Sequence, residues 1–244
     1  MAANKLIERM RKGEKALGMQ VTFPADEIIE VCGRLGLDFI FFEGQHAPMN
    51  AESIARMCRL ADGFGITPSM RAPDHHPGTI LTCLDCGIKA IMVPMLETKS
   101  QAEALVRACY FAPQGQRSYA SLRTIEYDFD SDCKTIMGRV NANMMLIPQI
   151  ETIAGIENLD EILTVDGIDC FAHGPNDLAQ SMGFVGEPNH PECLAATRKA
   201  EDKINAAGKT IWTDITESVM VAPTIHAAGR DLLQKYGRIQ PARP

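Results

Sequence analysis

At 244 residues, 45% hydrophobic and 23% charged, the chain has the length and apolar content for a sizeable folded core. A formal charge of −7 with scattered acidic residues leaves no basic stripe, which argues against nucleic acid or an anionic membrane surface as a partner. No apolar run approaches the roughly 18–20 residues that a bilayer crossing takes, and the amphipathic start MAANKLIERMRKGEK lacks a secretion-signal core, so a cytoplasmic protein is expected.

From there on, short apolar runs alternate with amphipathic stretches. GMQVTF (18–23) reads as a first strand and ADEIIEVCGRLG as the helix behind it. DFIFFE (38–43) is a second strand, almost continuously apolar, as a parallel strand covered on both faces must be. It runs into Glu43-Gly44-Gln45-His46 before the helix AESIARMCRLADGFG. TPSMRA (67–72) and KAIMVPM (89–95) follow, separated by the helical GTILTCLDCG. After the helical SQAEALVRACYFA, the stretch 114–143 is the least regular: a loop and the helix DCKTIMGRVNAN. MMLIPQIE (144–151), IDCFAHG (168–174) and KTIWTDI (209–215) complete seven strands, with GIENLDEILTV and ECLAATRKAEDKINAAG as the helices between them. Several helices close on glycine, the usual C-terminal stop.

Seven or eight strand–helix units predict an α/β fold, a (βα)8 TIM-type barrel forming a single domain over 1–244, in preference to an open doubly wound sheet. No glycine-rich dinucleotide fingerprint follows the first strand. The eighth strand is the open point. SVMVAPT is a candidate, but the spacer before it is shorter than the ~10 residues of a parallel crossover, and SVMVAPTIHAAG read as a helix leaves no eighth strand. Cys83 and Cys86 form a C-x-x-C without a second pair at zinc spacing. They read as small side chains of a reducing compartment, with a zinc site or redox pair as the lesser alternative.

A parallel barrel gathers its chemistry where strands end at their C-terminal edge. Glu43 and His46 follow strand two, Arg71 ends strand three, Gln149 and Glu151 end strand five on one face, and His173, Asn176 and Asp177 follow strand six. Glu151 and Asp177 suit one hard divalent cation, Mg2+, Mn2+ or Co2+; each alone is also a reasonable helix cap. Gly174 and Pro175 precede a helix start whose free N–H groups suit a small carboxylate or phosphate. Arg71 places positive charge where a carbonyl oxygen would become an enolate. His46, as an imidazole, suits proton transfer, with Glu43 three residues back to orient its ring.

FEGQHAP, RAPDHHP, LDCGIKAIMVPM, APQGQRS, PQIETIAGIENLDEIL, GIDCFAHGPNDLAQSMG and NHPE stand in the order and spacing of the HpcH/HpaI aldolases. The chain resembles that family, metal-dependent class II pyruvate aldolases related to citrate lyase β-type lyases, over roughly residues 5–215. The resemblance implies that Glu151 and Asp177 are the metal ligands, Arg71 the enolate-stabilising arginine, and His46 the base acting through a metal-bound water. It implies further that Gln149 places the keto acid, and that Asn176 and Asp177 hold the pyruvate carboxylate through main-chain amides. Asp85 matches an acid that relatives present across a subunit interface, which implies a homo-oligomer, a hexamer or swapped dimers.

The implied reaction is retro-aldol cleavage of a 4-hydroxy-2-oxo acid to pyruvate or a related 2-oxo acid plus an aldehyde, through a metal-stabilised enolate and without a Schiff-base lysine. Another metal-enolate lyase, an oxaloacetate-type decarboxylase or a non-catalytic homologue are the alternatives. Two departures stand out. Relatives carry Asp-Gly-Glu-His where this chain has Glu43-Gly44-Gln45-His46, and His173 stands where relatives have a small or apolar residue, within reach of substrate.

Overall fold

The computed structural model describes residues 3–128 and 132–238. Eight strands run in chain order: β1 (Ala16–Val21), β2 (Phe39–Glu43), β3 (Thr67–Arg71), β4 (Ala90–Val93), β5 (Met145–Ile150), β6 (Cys170–His173), β7 (Thr210–Ile211) and β8 (Thr216–Met220). The helices in the first half are α1 (Lys5–Arg11), α2 (Asp26–Leu35), α3 (Ala51–Gly63), α4 (Pro77–Cys86), α5 (Lys99–Cys109) and α6 (Cys133–Ala142). Those in the second half are α7 (Ile153–Glu157), α8 (Leu159–Ile162), α9 (Pro175–Ser181), α10 (Pro191–Ala206), α11 (Trp212–Ile215) and α12 (Val221–Lys235). The strands are parallel, and they curl into a TIM-type barrel in the order β7-β6-β5-β4-β3-β2-β1-β8.

The near-continuous apolar runs are explained by two cores. Alternate strand residues point to opposite faces. Phe39 and Phe41 pack with Ala90, Met92, Met145, Ile147, Cys170 and Ala172 inside the curl. Ile40, Phe42, Met70, Ile91, Leu146 and Phe171 join the helices outside. Leu6 and Ile7 of α1 belong to the inner core and close its N-terminal end. Asn4 holds that plug: its Oδ1 accepts from the Leu6 and Ile7 N–H groups, and its amide donates to Lys89 O at 3.0 Å and Asn143 O at 2.9 Å.

The end of the barrel resolves the open point of the sequence reading. An eighth strand exists, but it is Thr216–Met220, and VAPT opens α12. The seventh is shorter than the run KTIWTDI, because Trp212–Ile215 turn into a helix. A strand that climbs only two residues needs no long return, so a four-residue helix suffices before β8 starts level with β1, Ala16 opposite Thr216. The ladder joins β8 to β1 and not to β7, which leaves the hydrogen-bonded sheet unclosed between β7 and β8. Pro223 fits in the first turn of α12, where a missing N–H costs no intrahelical bond.

Candidate active site

The β2–β3 register places Glu43 directly opposite Arg71. Arg71 Nε donates to Glu43 Oε1 at 3.1 Å and Oε2 at 2.9 Å, and Nη2 donates to Oε2 at 2.6 Å. Glu43 Oε1 also accepts from the N–H groups of Gln45 at 2.8 Å and His46 at 3.1 Å. A buried carboxylate is tolerated only with such partners. The strand end in FFEGQH is therefore a carboxylate that fixes a guanidinium and folds the following turn. Gly44 is required there, since a Cβ would collide with the Met70 methyl and come within 2.5 Å of Arg71 O.

This geometry differs from the expected orientation of His46 by Glu43. The carboxylate is taken up by Arg71 and two main-chain N–H groups, while the His46 side chain is exposed and its ring has no hydrogen-bond partner among the described residues. Gln45 is half-buried, and its Oε1 is buried without a partner.

At the end of β5, Gln149 sits opposite Ala172 of β6 and donates from Nε2 to His173 O at 3.2 Å; its Oε1 is buried and unpaired. Glu151 has no exposed surface. Its Oε1 accepts from the Met95 N–H at 2.9 Å, and its Oε2 has no partner. Met95 holds that N–H in place with a left-handed backbone, φ 59°, a conformation that costs a side-chain-bearing residue roughly 1–2 kcal/mol. Burial pushes the Glu151 carboxyl up to about 7; the Met95 N–H opposes this, the nearby Asp177 carboxylate adds to it, and Arg71 opposes it.

The cap alternative does not describe these carboxylates. Thr152 caps α7, its Oγ1 accepting from the Gly155 N–H at 3.0 Å. α9 opens at Gly174 with no side-chain cap, and Pro175, Asn176 and Asp177 form its first turn. Gly174 packs against the Glu151 carboxylate so closely that a Cβ would collide with Oε2 and lie 2.8 Å from Gln149 Nε2. A fully buried carboxylate oxygen without a partner, beside a second carboxylate, fits a hard divalent cation. Among the described residues no group of three or more His, Cys, Asp and Glu converges on a metal-binding point, so water and substrate oxygens would fill the remaining positions.

A cavity of about 160 Å³ at the C-terminal end of the strands is lined by Glu43, Arg71, Gln149 and His173 together with Gln20, Trp212 and Ser218. The last three were not singled out in the sequence. Gln20 and Ser218 lie on inward positions of β1 and β8, and Trp212 leaves β7 at a point that the sequence reading kept within the strand. His173 lies mostly buried, with Nε2 3.4 Å from Glu201 Oε1; burial lowers its pKa against the raising influence of Glu201 and Asp214. Asp85 stands apart from the cavity and is held within its own chain, accepting from Arg117 Nη2 at 2.8 Å. Cys83 is buried, and its thiol is pushed up to about 12 by burial.

Comparison with known proteins extends the picture. Residues 17–231 match the HpcH/HpaI aldolase/citrate lyase family. The chain is 32% identical over 230 residues to a hydroxypyruvate/pyruvate aldolase of Roseobacter denitrificans, covering 93% of this chain and 88% of that one. It is 32% identical over 210 residues to a 4-hydroxy-2-oxovalerate aldolase of Novosphingobium aromaticivorans, covering 84% and 78%. A crystal structure of a family protein from Burkholderia cenocepacia superposes with a TM-score of 0.85 at 25% identity, over 96% of this chain and 99% of that one. This chain therefore belongs to the HpcH/HpaI aldolase/citrate lyase family and is a carbon–carbon lyase of the aldolase type.

Proposed function

We propose that the protein cleaves a 4-hydroxy-2-oxo acid to pyruvate, or a close 2-oxo acid, and an aldehyde, using a divalent cation (Mg2+, Mn2+ or Co2+) held by Glu151 and Asp177. The observation that carries this reading is the unpaired Oε2 of the fully buried Glu151, next to Asp177 and across the mouth from an anchored Arg71. The names of the Roseobacter and Novosphingobium relatives support the substrate class.

When bound, such a cation supplies Lewis acidity toward the two oxygens of a 2-oxo acid. The protein's own groups do the rest. Arg71, fixed in direction by Glu43, donates to the C2 oxygen as the C3–C4 bond breaks and charge moves onto it. Gln149 keeps its Oε1 free to accept from the C4 hydroxyl of the substrate. The main-chain N–H groups of Asn176 and Asp177 suit the substrate carboxylate at the start of α9, whose N1 residue Pro175 has no N–H to offer. The C4 hydroxyl proton passes to His46, whose ring is free of competing partners among the described residues, and a proton returned to C3 converts the enolate into the 2-oxo acid product.

We also read the chain as a cytoplasmic homo-oligomer, a hexamer or swapped dimers. Eight free cysteines accord with a reducing compartment. Ile225, Leu232 and Tyr236 on and just after α12 are 58%, 58% and 66% exposed, an apolar face suited to a second copy. No helix among the described residues is long and apolar enough to cross a membrane.

The test is pyruvate release, coupled to lactate dehydrogenase, from a series of 4-hydroxy-2-oxo acids and from oxaloacetate, with Mn2+ and with chelator. Chelator-sensitive cleavage of the hydroxy acids is expected. Release from oxaloacetate alone would replace the aldolase substrate by a decarboxylation substrate.

A further inference from the structure

We propose that a small cavity at the N-terminal end of β4 and β5, at the opposite end of the barrel from the mouth, binds one halide ion, chloride under ordinary conditions. The site is independent of the proposed substrate and shares no residue with the mouth.

Arg117 is the residue that calls for a ligand. It lines the cavity, its side chain is 2% exposed, and its Nε is buried without a hydrogen-bond partner. Nη2 donates to Asp85 Oδ1 at 2.8 Å, and the guanidinium carbon lies 4.8 Å from the centre of the Phe111 ring. One carboxylate and one ring face leave the Nε N–H of a buried cation unanswered, which native interiors rarely allow.

The charge around the cavity is unbalanced in the same direction. Lys89 and Arg123 share a single carboxylate, Asp62, while Arg117 has Asp85 and Arg139 has Glu126. Among these described residues four cations meet three carboxylates. Lys89, Arg117 and Arg139 line the cavity, whereas Asp62 and Asp85 do not. Lys89 and Arg117 are also the deeper partners, 5% and 2% exposed against 14% and 29% for Asp62 and Asp85. Positive charge faces inward and the carboxylates stand nearer to water, so the cavity sits at a positive potential.

The fold builds this place from three sides. Lys89 immediately precedes β4, and its N–H donates to Pro68 O at 3.0 Å at the foot of the barrel. α4 ends at Gly87, where a Cβ would collide with Arg123 Nη2; the glycine lets that guanidinium donate to Cys86 O at 3.2 Å. The short turn Arg123–Asp128 brings the buried Thr124 to the wall, and α6 brings Val140. Size then selects the anion. About 30 Å³ holds a monoatomic ion, or one or two waters at the ~10–15 Å³ each requires, and is too small for phosphate or sulfate. A halide accepts from any direction, so the Arg117 Nε N–H and the Thr124 hydroxyl can both donate to it, with the charge of Lys89 behind them. Water would satisfy Nε but would leave the charge unbalanced.

Bromide is the probe. Crystals of the wild type grown in sodium bromide should show an anomalous peak beside Arg117 Nε. In solution, with Mn2+ held constant, the melting temperature should rise from sodium gluconate to sodium chloride at equal ionic strength and saturate, by about 3–5 °C at tenfold excess over Kd. Arg117→Met should abolish that rise. Thr124→Val, nearly the same size and with every ion pair kept, should at least halve it, and it decides the matter if Arg117→Met does not fold. A water in place of bromide, a wild-type melt indifferent to chloride, or a rise unchanged in every folded variant would overturn the site. A bromide peak without a saturable rise would mark an adventitious ion only, and overturn it too. None of these readouts depends on turnover, so their failure and that of the aldolase reading stay distinct.

Discussion

Glu151 is where burial, electrostatics and function meet. Its carboxyl stands at about 7 because it is buried, so between the ordinary carboxylate range and about pH 7 the folded protein keeps a proton that the unfolded chain releases. The metal-free protein should therefore lose stability as pH rises through that window, by an amount of order a few kcal/mol, and level off above it. Thermal melts in chelator from about pH 5 to about pH 8 should show this fall in the wild type and no fall in Glu151→Gln, where the lowered pKa of His173 leaves only a gain of stability as pH rises. Cation affinity should move the opposite way, rising with pH as the carboxylate ionises. Gly174→Ala tests the neighbouring contact, because the added methyl meets Glu151 Oε2. It should weaken Mn2+ binding at least about tenfold by calorimetry while the chain still folds; unchanged affinity would detach Gly174 from the site. Arg71→Ala should lower kcat by about 10²–10³ and also destabilise the protein by roughly 3–5 kcal/mol, since it strands the buried Glu43 carboxylate. Turnover close to wild type would end the role given to Arg71.

Among the elements, β1 and the short α11 decide the shape of the mouth. Gly18→Ala forces a Cβ against the main chain of β2, which cannot yield as a flexible side chain would. A loss of about 1–3 kcal/mol by denaturant titration, with quenching of the Trp212 emission altered as its seat on Phe39 shifts, is expected. The strands were legible as apolar runs because a strand buried on both faces has no polar alternation to lose. Helix ends were legible too: Gly36 and Gly87 close α2 and α4 in the left-handed conformation that only glycine takes cheaply. The β7–α11–β8 passage was not. KTIWTDITESVM contains β-branched and aromatic residues throughout, and propensity alone does not mark Trp212 as the point where strand becomes helix.

At the scale of the molecule, α12 is the exception to a well-covered barrel. Only Val221 of its residues is buried, whereas Ile225 and Leu232 are more than half exposed. Sedimentation velocity should show an assembly larger than one chain. The double substitution Ile225→Asp and Leu232→Asp should shift it toward smaller species; a monomeric wild type would remove the self-association reading.

The sequence by itself determined the parallel α/β architecture and the strand ends that carry Arg71, Glu151 and Asp177, because burial on both faces and the C-terminal edge of a strand are written in residue order. Its family motifs did the same for the aldolase class. What only the tertiary structure decided was who binds whom: that Glu43 serves Arg71 and not the His46 ring, that Thr152 and not Glu151 caps α7, and that Trp212 and Ser218 reach the mouth. Those outcomes depend on register between strands distant in sequence. A shift of one residue in pairing reverses which face a side chain occupies, and no local pattern encodes that.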